Sequence, residues 1–232
     1  MELSEAVPWG RSFSEYKAMF SLTESDLGKK LLGCSDGPAS FNVELTEAGG
    51  RVVSIDPIYQ FEAEQIRSRI VDVCSEVMGQ MSKNINDYVW STIGSLEELE
   101  KIRMKAMEMF LGDFAAGKKV GRYVEASLPA LPFKDKGFDL ALCSHFLFLY
   151  SEHISREQHI TSMKELCRVA DEVRVYPLLS LDNKKSEHLK PVMSALADNG
   201  IEVSFVPVEY EFQKGATEML VAKSSENNLI YG

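Results

Sequence analysis

Residues 30–57 read KLLGCSDGPASFNVELTEAGGRVVSIDP. The apolar run from Lys30 to Cys34 meets a cluster of glycine, serine and aspartate. Phe41, Val43, Leu45 and Ala48 then suggest a helix of about three turns that Gly49 and Gly50 end. RVVSID follows as a second apolar run ending on an acid. Strand, helix and strand make a βαβ unit, whose strands lie parallel in one sheet. A glycine-rich turn at a strand end lets backbone approach a ligand, and the next helix offers free N–H groups. Asp56 lies about twenty residues past the turn, where a carboxylate can accept bonds from two ribose hydroxyls. The segment suits an adenosine-bearing ligand. Its plainer reading is a turn, followed by an acid that caps the next element.

The glycine spacing separates candidate ligands. A dinucleotide site calls for GxGxxG, whose second glycine clears room for a pyrophosphate. Here Gly33 is followed by Ser35 and Gly37, and Ser40 stands where the last glycine would be. That pattern speaks against an NAD-linked oxidoreductase.

The 232 residues fit one α/β domain carrying an insertion, long enough to bury a core without staples. A net charge of −10 disfavours bulk nucleic acid, which clustered Lys and Arg would have to hold. Cys34, Cys74, Cys143 and Cys167 form no CxxC pair and read as reduced thiols, and the four histidines form no metal pattern. No metal site is expected. No secretory signal is legible, and the longest apolar run, FDLALCSHFLFLY, is broken by Ser144 and His145. A cytoplasmic protein without membrane attachment is expected; its oligomeric state is not legible.

Outward from the opening unit, Phe13, Tyr16, Met19 and Phe20 predict an amphipathic helix in an N-terminal cover over residues 1–28. Thr23 or Ser25 would cap a second turn that Gly28 ends. Residues of about 60–118 carry two long helical patterns flanking SKNINDYVWSTIG, far more than a crossover needs, and read as a helical insertion between strands 2 and 3. Alternation then resumes through GRYVEAS, FDLALCSHF, a helix over SREQHITSMKELCRVA, DEVRVYPLL and a helix over HLKPVMSALADNG. Two last strands, IEVSFVPVEYEF and ATEMLVAKS, joined by QKG, predict an antiparallel hairpin. EELEKIRMK within the insertion reads as a solvated, ion-paired helix face.

From Lys29 to Lys223, the insertion apart, this order resembles the class I S-adenosylmethionine-dependent methyltransferases. LLGCSDGPASF is similar to the family's first motif, VVSIDP to its second, and YVEASLPALPFKDKGFDLALCSHFLFLY to its third and fourth. The resemblance implies a Rossmann-like three-layer α/β sandwich: a mostly parallel seven-stranded sheet with an antiparallel C-terminal hairpin strand, in a single domain over 1–232. It implies S-adenosylmethionine as cofactor, with methyl transfer to a small or medium-sized acceptor. Cofactor contacts would come from Gly33, Cys34, Ser35, Asp36, Gly37, Asp56 and Pro57. Glu125 and Ala126 would lie beside the adenine, and Ser144, His145 and Phe146 would follow the fourth strand. The sequence departs from the family pattern in two ways: Leu31 replaces the usual leading acid, and Asp36 lengthens the loop. Asp36 would then supply the missing carboxylate to the methionine ammonium. Such an altered motif is also what a non-catalytic adenosine-binding module would carry.

Methyl transfer needs alignment and exclusion of water more than any fixed catalytic group. His145, at the end of the fourth strand, reads as a base, a cofactor contact or a packed histidine. Tyr150 and His153 just beyond it, and Tyr176, are candidates for the acceptor side. Arg11 and Tyr16 would reach the cofactor carboxylate from a covering helix. Trp9, Tyr88 and Trp90 either line an acceptor pocket or staple the insertion. His159 reads as structural.

Overall fold

The structure is a computed structural model that describes residues 7–224. The remaining positions of the expected 1–232 domain, including the first six of the N-terminal cover, lie outside the described residues.

Seven strands form one sheet in the order β3-β2-β1-β4-β5-β7-β6. They are β1 (Lys30–Cys34), β2 (Arg51–Ile55), β3 (Tyr123–Val124), β4 (Phe138–Ser144), β5 (Ala170–Tyr176), β6 (Ile201–Pro207) and β7 (Glu218–Ser224). β1 pairs in parallel with β2 and β4, and β4 with β5, while β7 runs antiparallel between β5 and β6. The architecture is thus the Rossmann-like α/β sandwich expected. The reversal of strand order beside β1 opens a crevice at the carboxyl ends of the strands, where ligands bind in such sheets.

Both faces of β1 are covered, so its sequence is continuously apolar instead of alternating. Leu32 and Cys34 face a cluster that includes Met163 and Leu166 of helix α6 (Arg156–Val169) and Val192 and Leu196 of α7 (Leu189–Ala197). Leu31 faces the other way, towards Tyr16 and Met19 of α1 (Phe13–Met19) and Phe41 and Leu45 of α3 (Phe41–Glu47). Helix starts follow the side-chain chemistry. Ser12 with Glu15, Thr23 with Asp26 and Ser155 with Gln158 each close a reciprocal capping box, and Thr23 opens the short α2 (Glu24–Leu27).

The insertion consists of α4 (Ala63–Lys83) and α5 (Leu96–Lys119). Ile66 and Ile70 of α4 pack with Met107, Phe110 and Phe114 of α5 around Tyr59 and Tyr123.

Three expectations are corrected. α3 is seven residues, two turns rather than three. β3 is two residues rather than seven, because the chain turns away after Val124. β6 stops at Pro207 instead of running to Phe212, so ten residues and not QKG connect the last two strands. In that longer loop Tyr210 and Phe212 turn into the core beside α1, and Tyr176 Oη donates to the carbonyls of Tyr210 (3.2 Å) and Ala216 (2.8 Å).

Candidate functional site

The turn after β1 is built from two left-handed residues, Ser35 (φ 55°) and Gly37 (φ 54°). The amides of Ser35 and Asp36 both donate to the Ile55 carbonyl, at 2.9 and 3.4 Å. This folds the Asp36 side chain back over β1. Its Oδ1 accepts from Tyr16 Oη (2.8 Å) and its Oδ2 from Ser54 Oγ (2.5 Å). Burial pushes the Asp36 carboxyl up to about 7; the Ser54 and Tyr16 hydrogen bonds work against that rise, and the nearby Asp56 charge adds to it.

Asp56, at the end of β2, accepts from the amides of Ile58 (2.9 Å) and Gly37 (3.0 Å). Burial still raises its carboxyl to about 6. Tyr59 Oη donates to the Gly37 carbonyl at 2.7 Å, from a ring packed among Phe110, Phe114 and Tyr123. The insertion therefore fixes the turn from outside the sheet, a role that no motif in PIYQ announces.

These groups border a cleft of about 400 Å³ at the carboxyl ends of β1, β2 and β4. Of the residues singled out in the sequence, Arg11, Tyr16, Ser35, Asp36, Gly37, Asp56, Pro57, Ser144, His145, Phe146 and Tyr150 line it. Four do not. Gly33 lies beneath the turn under the Asp36 carboxylate. Cys34 is fully buried, paired in register with Cys143 of β4. Glu125 is exposed and Ala126 packs against the core. Because β3 is so short, Ser127 reaches the cleft instead.

The covering element is not the helix that was expected. Residues 7–11 run without helical structure across the cleft, and α1 begins only at Phe13. Gly10 holds this strap against the turn; a Cβ there would lie 2.0 Å from the Pro38 carbonyl oxygen. The Arg11 carbonyl accepts from the Ser40 amide at 3.1 Å. Tyr16 lines the cleft with its hydroxyl proton donated to Asp36.

A second, smaller cavity of about 100 Å³ adjoins the first, and Val7, Trp9, Arg11, His145 and Tyr150 border both. Its far wall includes Val77 and Met81 of α4, Tyr88, Phe212 and Arg103. Tyr88 stacks on Phe212 with ring centroids 4.9 Å apart, and Trp90 meets Phe212 edge-on at 5.5 Å. The aromatics thus staple the insertion to the β6–β7 loop, and Tyr88 also lines the cavity. His153 is exposed and Tyr176 is buried with its hydroxyl occupied, so neither borders the site. His159 is structural: both ring nitrogens lie 2.9 Å from main-chain carbonyls.

Arg103 overturns the reading of EELEKIRMK as wholly solvated. It is 1% exposed and pairs with the buried Glu15 carboxylate. Glu15 also accepts from Tyr210 Oη at 2.8 Å. Burial alone would raise the Glu15 carboxyl, but the Arg103 guanidinium brings it down to about 2. The signal was in the spacing: Leu99, Arg103, Met107, Phe110 and Phe114 form one apolar stripe, with Arg103 inside it.

His145 stands at the junction of the two cavities with φ 51°. Its Nδ1 lies 2.9 Å from Ser144 Oγ and its amide donates to the Tyr176 carbonyl at 2.7 Å. Burial, with Arg11 and Arg103 nearby, lowers its pKa well below the usual imidazole range, so the ring is neutral at pH 7.

Among the described residues no group of His, Cys, Asp or Glu could hold a metal ion, and no helix is long and apolar enough to cross a membrane. No protein-family model matches the chain. It is 29% identical over 228 residues to an uncharacterized protein of Methanocaldococcus jannaschii, across 96% of this chain and 98% of that one. Among solved structures it is similar to magnesium protoporphyrin IX methyltransferase of Synechocystis with bound S-adenosylmethionine. The identity there is 15%, the coverage 92% of this chain and 78% of the other, and the TM-score 0.46. It is also similar to a putative S-adenosylmethionine-dependent methyltransferase of Methanococcus maripaludis, at 10% identity, 94% and 85% coverage and a TM-score of 0.48.

Proposed function

We propose that the protein is an S-adenosylmethionine-dependent methyltransferase acting on a small or medium-sized acceptor, with the strap and the helical insertion as parts of one domain. One observation carries the reading. Two buried carboxylates, Asp36 and Asp56, border one nucleoside-sized cleft at the switch point of the sheet, and neither has a cationic partner among the described residues. A volume of about 400 Å³ falls in the usual range for small-ligand sites, ~300–1,000 Å³.

The donor set fits this cofactor. Asp56 is fixed by two amides, and a carboxylate has about four lone-pair sites, which leaves capacity for two ribose hydroxyls. Asp36, held by Tyr16 and Ser54, offers a counter-charge for the methionine ammonium. It thereby stands in for the acid that Leu31 replaces. Bound there, S-adenosylmethionine supplies a methyl group already activated on a sulfonium. The protein's own part is to orient and to exclude water: the strap at residues 7–11 covers the cleft, and neutral His145 stands where the cleft meets the second cavity.

Calorimetric titration with S-adenosylhomocysteine and with NAD tests the reading. Micromolar binding of the first and none of the second is expected, weakened at least tenfold in Asp56→Ala. Equal affinity in Asp56→Ala, or binding of NAD alone, would overturn it.

A further inference from the structure

Among the described residues only three buried side-chain nitrogen or oxygen atoms lack a hydrogen-bond partner: Arg11 Nε, Arg103 Nε and Thr46 Oγ1. Two of the three belong to residues that line the same 100 Å³ cavity. A buried donor without an acceptor costs about 1–3 kcal/mol, more when charged. Two such groups around one cavity point to a missing acceptor there.

The charge sum specifies that acceptor. Arg103 is neutralised by Glu15. Arg11 has no carboxylate partner among the described residues; it donates only to the Trp9 carbonyl, at 3.1 Å. Among the described residues no Asp or Glu lines the cavity, and one positive charge there is left uncompensated. Asn183 Oδ1 accepts from Gln213 Nε2 at 2.7 Å, so the Asn183 amide NH2 remains as a further donor on the wall. Val77, Met81, Leu149 and Phe212 supply apolar lining to the same cavity. An apolar cavity of about 150 Å³ holds a benzene ring, so 100 Å³ limits the occupant to a short branched chain smaller than such a ring.

We propose that this second cavity binds a small organic monocarboxylate, its carboxylate against the Arg11 and Arg103 guanidiniums and its short apolar body against Met81 and Phe212. A guanidinium edge matches a carboxylate in geometry as well as charge. The cavity opens to the cofactor cleft at His145 and Tyr150, so a carboxylate oxygen of its occupant is also the methyl acceptor: the O–CH3 bond forms as the S–CH3 bond breaks, S-adenosylhomocysteine leaves and no proton moves; that last step rests on the function proposed above.

The test is calorimetric titration of the full chain with isobutyrate and isovalerate against their neutral twins, isobutyramide and isovaleramide, with and without saturating S-adenosylhomocysteine. At least one carboxylate is expected to bind tenfold or more tightly than its amide, with an affinity that S-adenosylhomocysteine changes less than threefold. Met81→Trp fills the cavity while keeping both arginines in the chain and is expected to weaken carboxylate binding at least tenfold, leaving S-adenosylhomocysteine affinity within threefold. Glu15→Gln/Arg103→Met, which removes a charge pair together, is a second variant with the same expectation. Amides binding as well as carboxylates, no binding of either, displacement of the carboxylate by S-adenosylhomocysteine, or an unchanged affinity in Met81→Trp would each overturn the proposal. Carboxylate binding by a protein that ignores S-adenosylhomocysteine would leave the anion site standing and remove the methyl-transfer reading.

Discussion

A Cβ built on Gly33 would lie 1.8 Å from Asp36 Oδ2, so the carboxylate occupies the space that any other residue at position 33 would fill. The requirement is for room, since Gly33 has no left-handed backbone. Asp36 cannot simply swing aside, because Tyr16 and Ser54 hold its two oxygens. Gly33→Ala is therefore expected to destabilise the protein by about 2–3 kcal/mol and to weaken S-adenosylhomocysteine binding at least tenfold. In an Asp36→Ala background the same change should cost less than about 1 kcal/mol, since the obstructing group is gone. Urea denaturation of the four proteins of the cycle measures this; additive effects would show that the contact does not govern the turn.

The Asp36 carboxyl stands at about 7 in the folded protein. Its ordinary value in an unfolded chain is about 4. Between these values the folded state holds the proton and the unfolded state does not, so stability falls as pH rises from about 4 to about 7. At ~1.4 kcal/mol per pH unit the fall reaches at most about 4 kcal/mol. Asp36→Asn mimics the neutral acid: its carbonyl accepts from Tyr16 and its amide donates to Ser54 Oγ. It should flatten that slope and be more stable than wild type at pH 8. Wild-type affinity for S-adenosylhomocysteine should rise between pH 6 and 8, as the carboxylate ionises to meet the ammonium, and the variant should lose that rise. Parallel pH profiles for the two proteins would remove Asp36 from both roles.

The sheet was legible because buried parallel strands and glycine stops leave local marks. Lys30–Cys34, Arg51–Ile55 and the insertion helices all lie close to where periodicity puts them. The turn was legible as a glycine-rich bend at a strand end, and eleven of the residues expected around a ligand there line the cleft. What local pattern does not carry is where a chain goes after a strand ends. The sequence gives Glu125 and Ala126 the place that Ser127 takes, since nothing in YVEAS marks a strand of only two residues. Arg103 was hidden by composition: a basic residue in a charged run reads as solvated, and only its position on the apolar stripe shows otherwise. Tyr59 was invisible because its partner, the Gly37 carbonyl, is brought to it by the fold.

Gly10 packs its Cα against main chain rather than against a side chain, with the Pro38 carbonyl oxygen 2.0 Å and its carbon 2.5 Å from where a Cβ would be. No rotamer change can relieve such a contact. Gly10→Ala must lift the strap off the turn, and Val7, Trp9 and Arg11 line both cavities from that strap. A loss of about 2 kcal/mol in stability and of at least tenfold in S-adenosylhomocysteine affinity is expected. Thermal unfolding and calorimetry check both; a stable variant with full affinity would mean that the strap does not cover the ligand.

His145 is kept neutral by its surroundings, burial first and then the positive charges of Arg11 and Arg103. A depressed imidazole value means that the unfolded chain takes up a proton that the folded one refuses. Its contribution to stability is therefore complete above about pH 6.5, the ordinary value, and is lost as the pH falls below it. Nitrogen-detected NMR of the side chain should show a neutral ring at about pH 6.5, where an ordinary imidazole is half protonated, with Nδ1 engaged by Ser144. Saturating isovalerate, by compensating Arg11, should raise the His145 titration towards the ordinary range. A ring that titrates near pH 6.5 in the free protein would show that neither burial nor the two guanidiniums governs it.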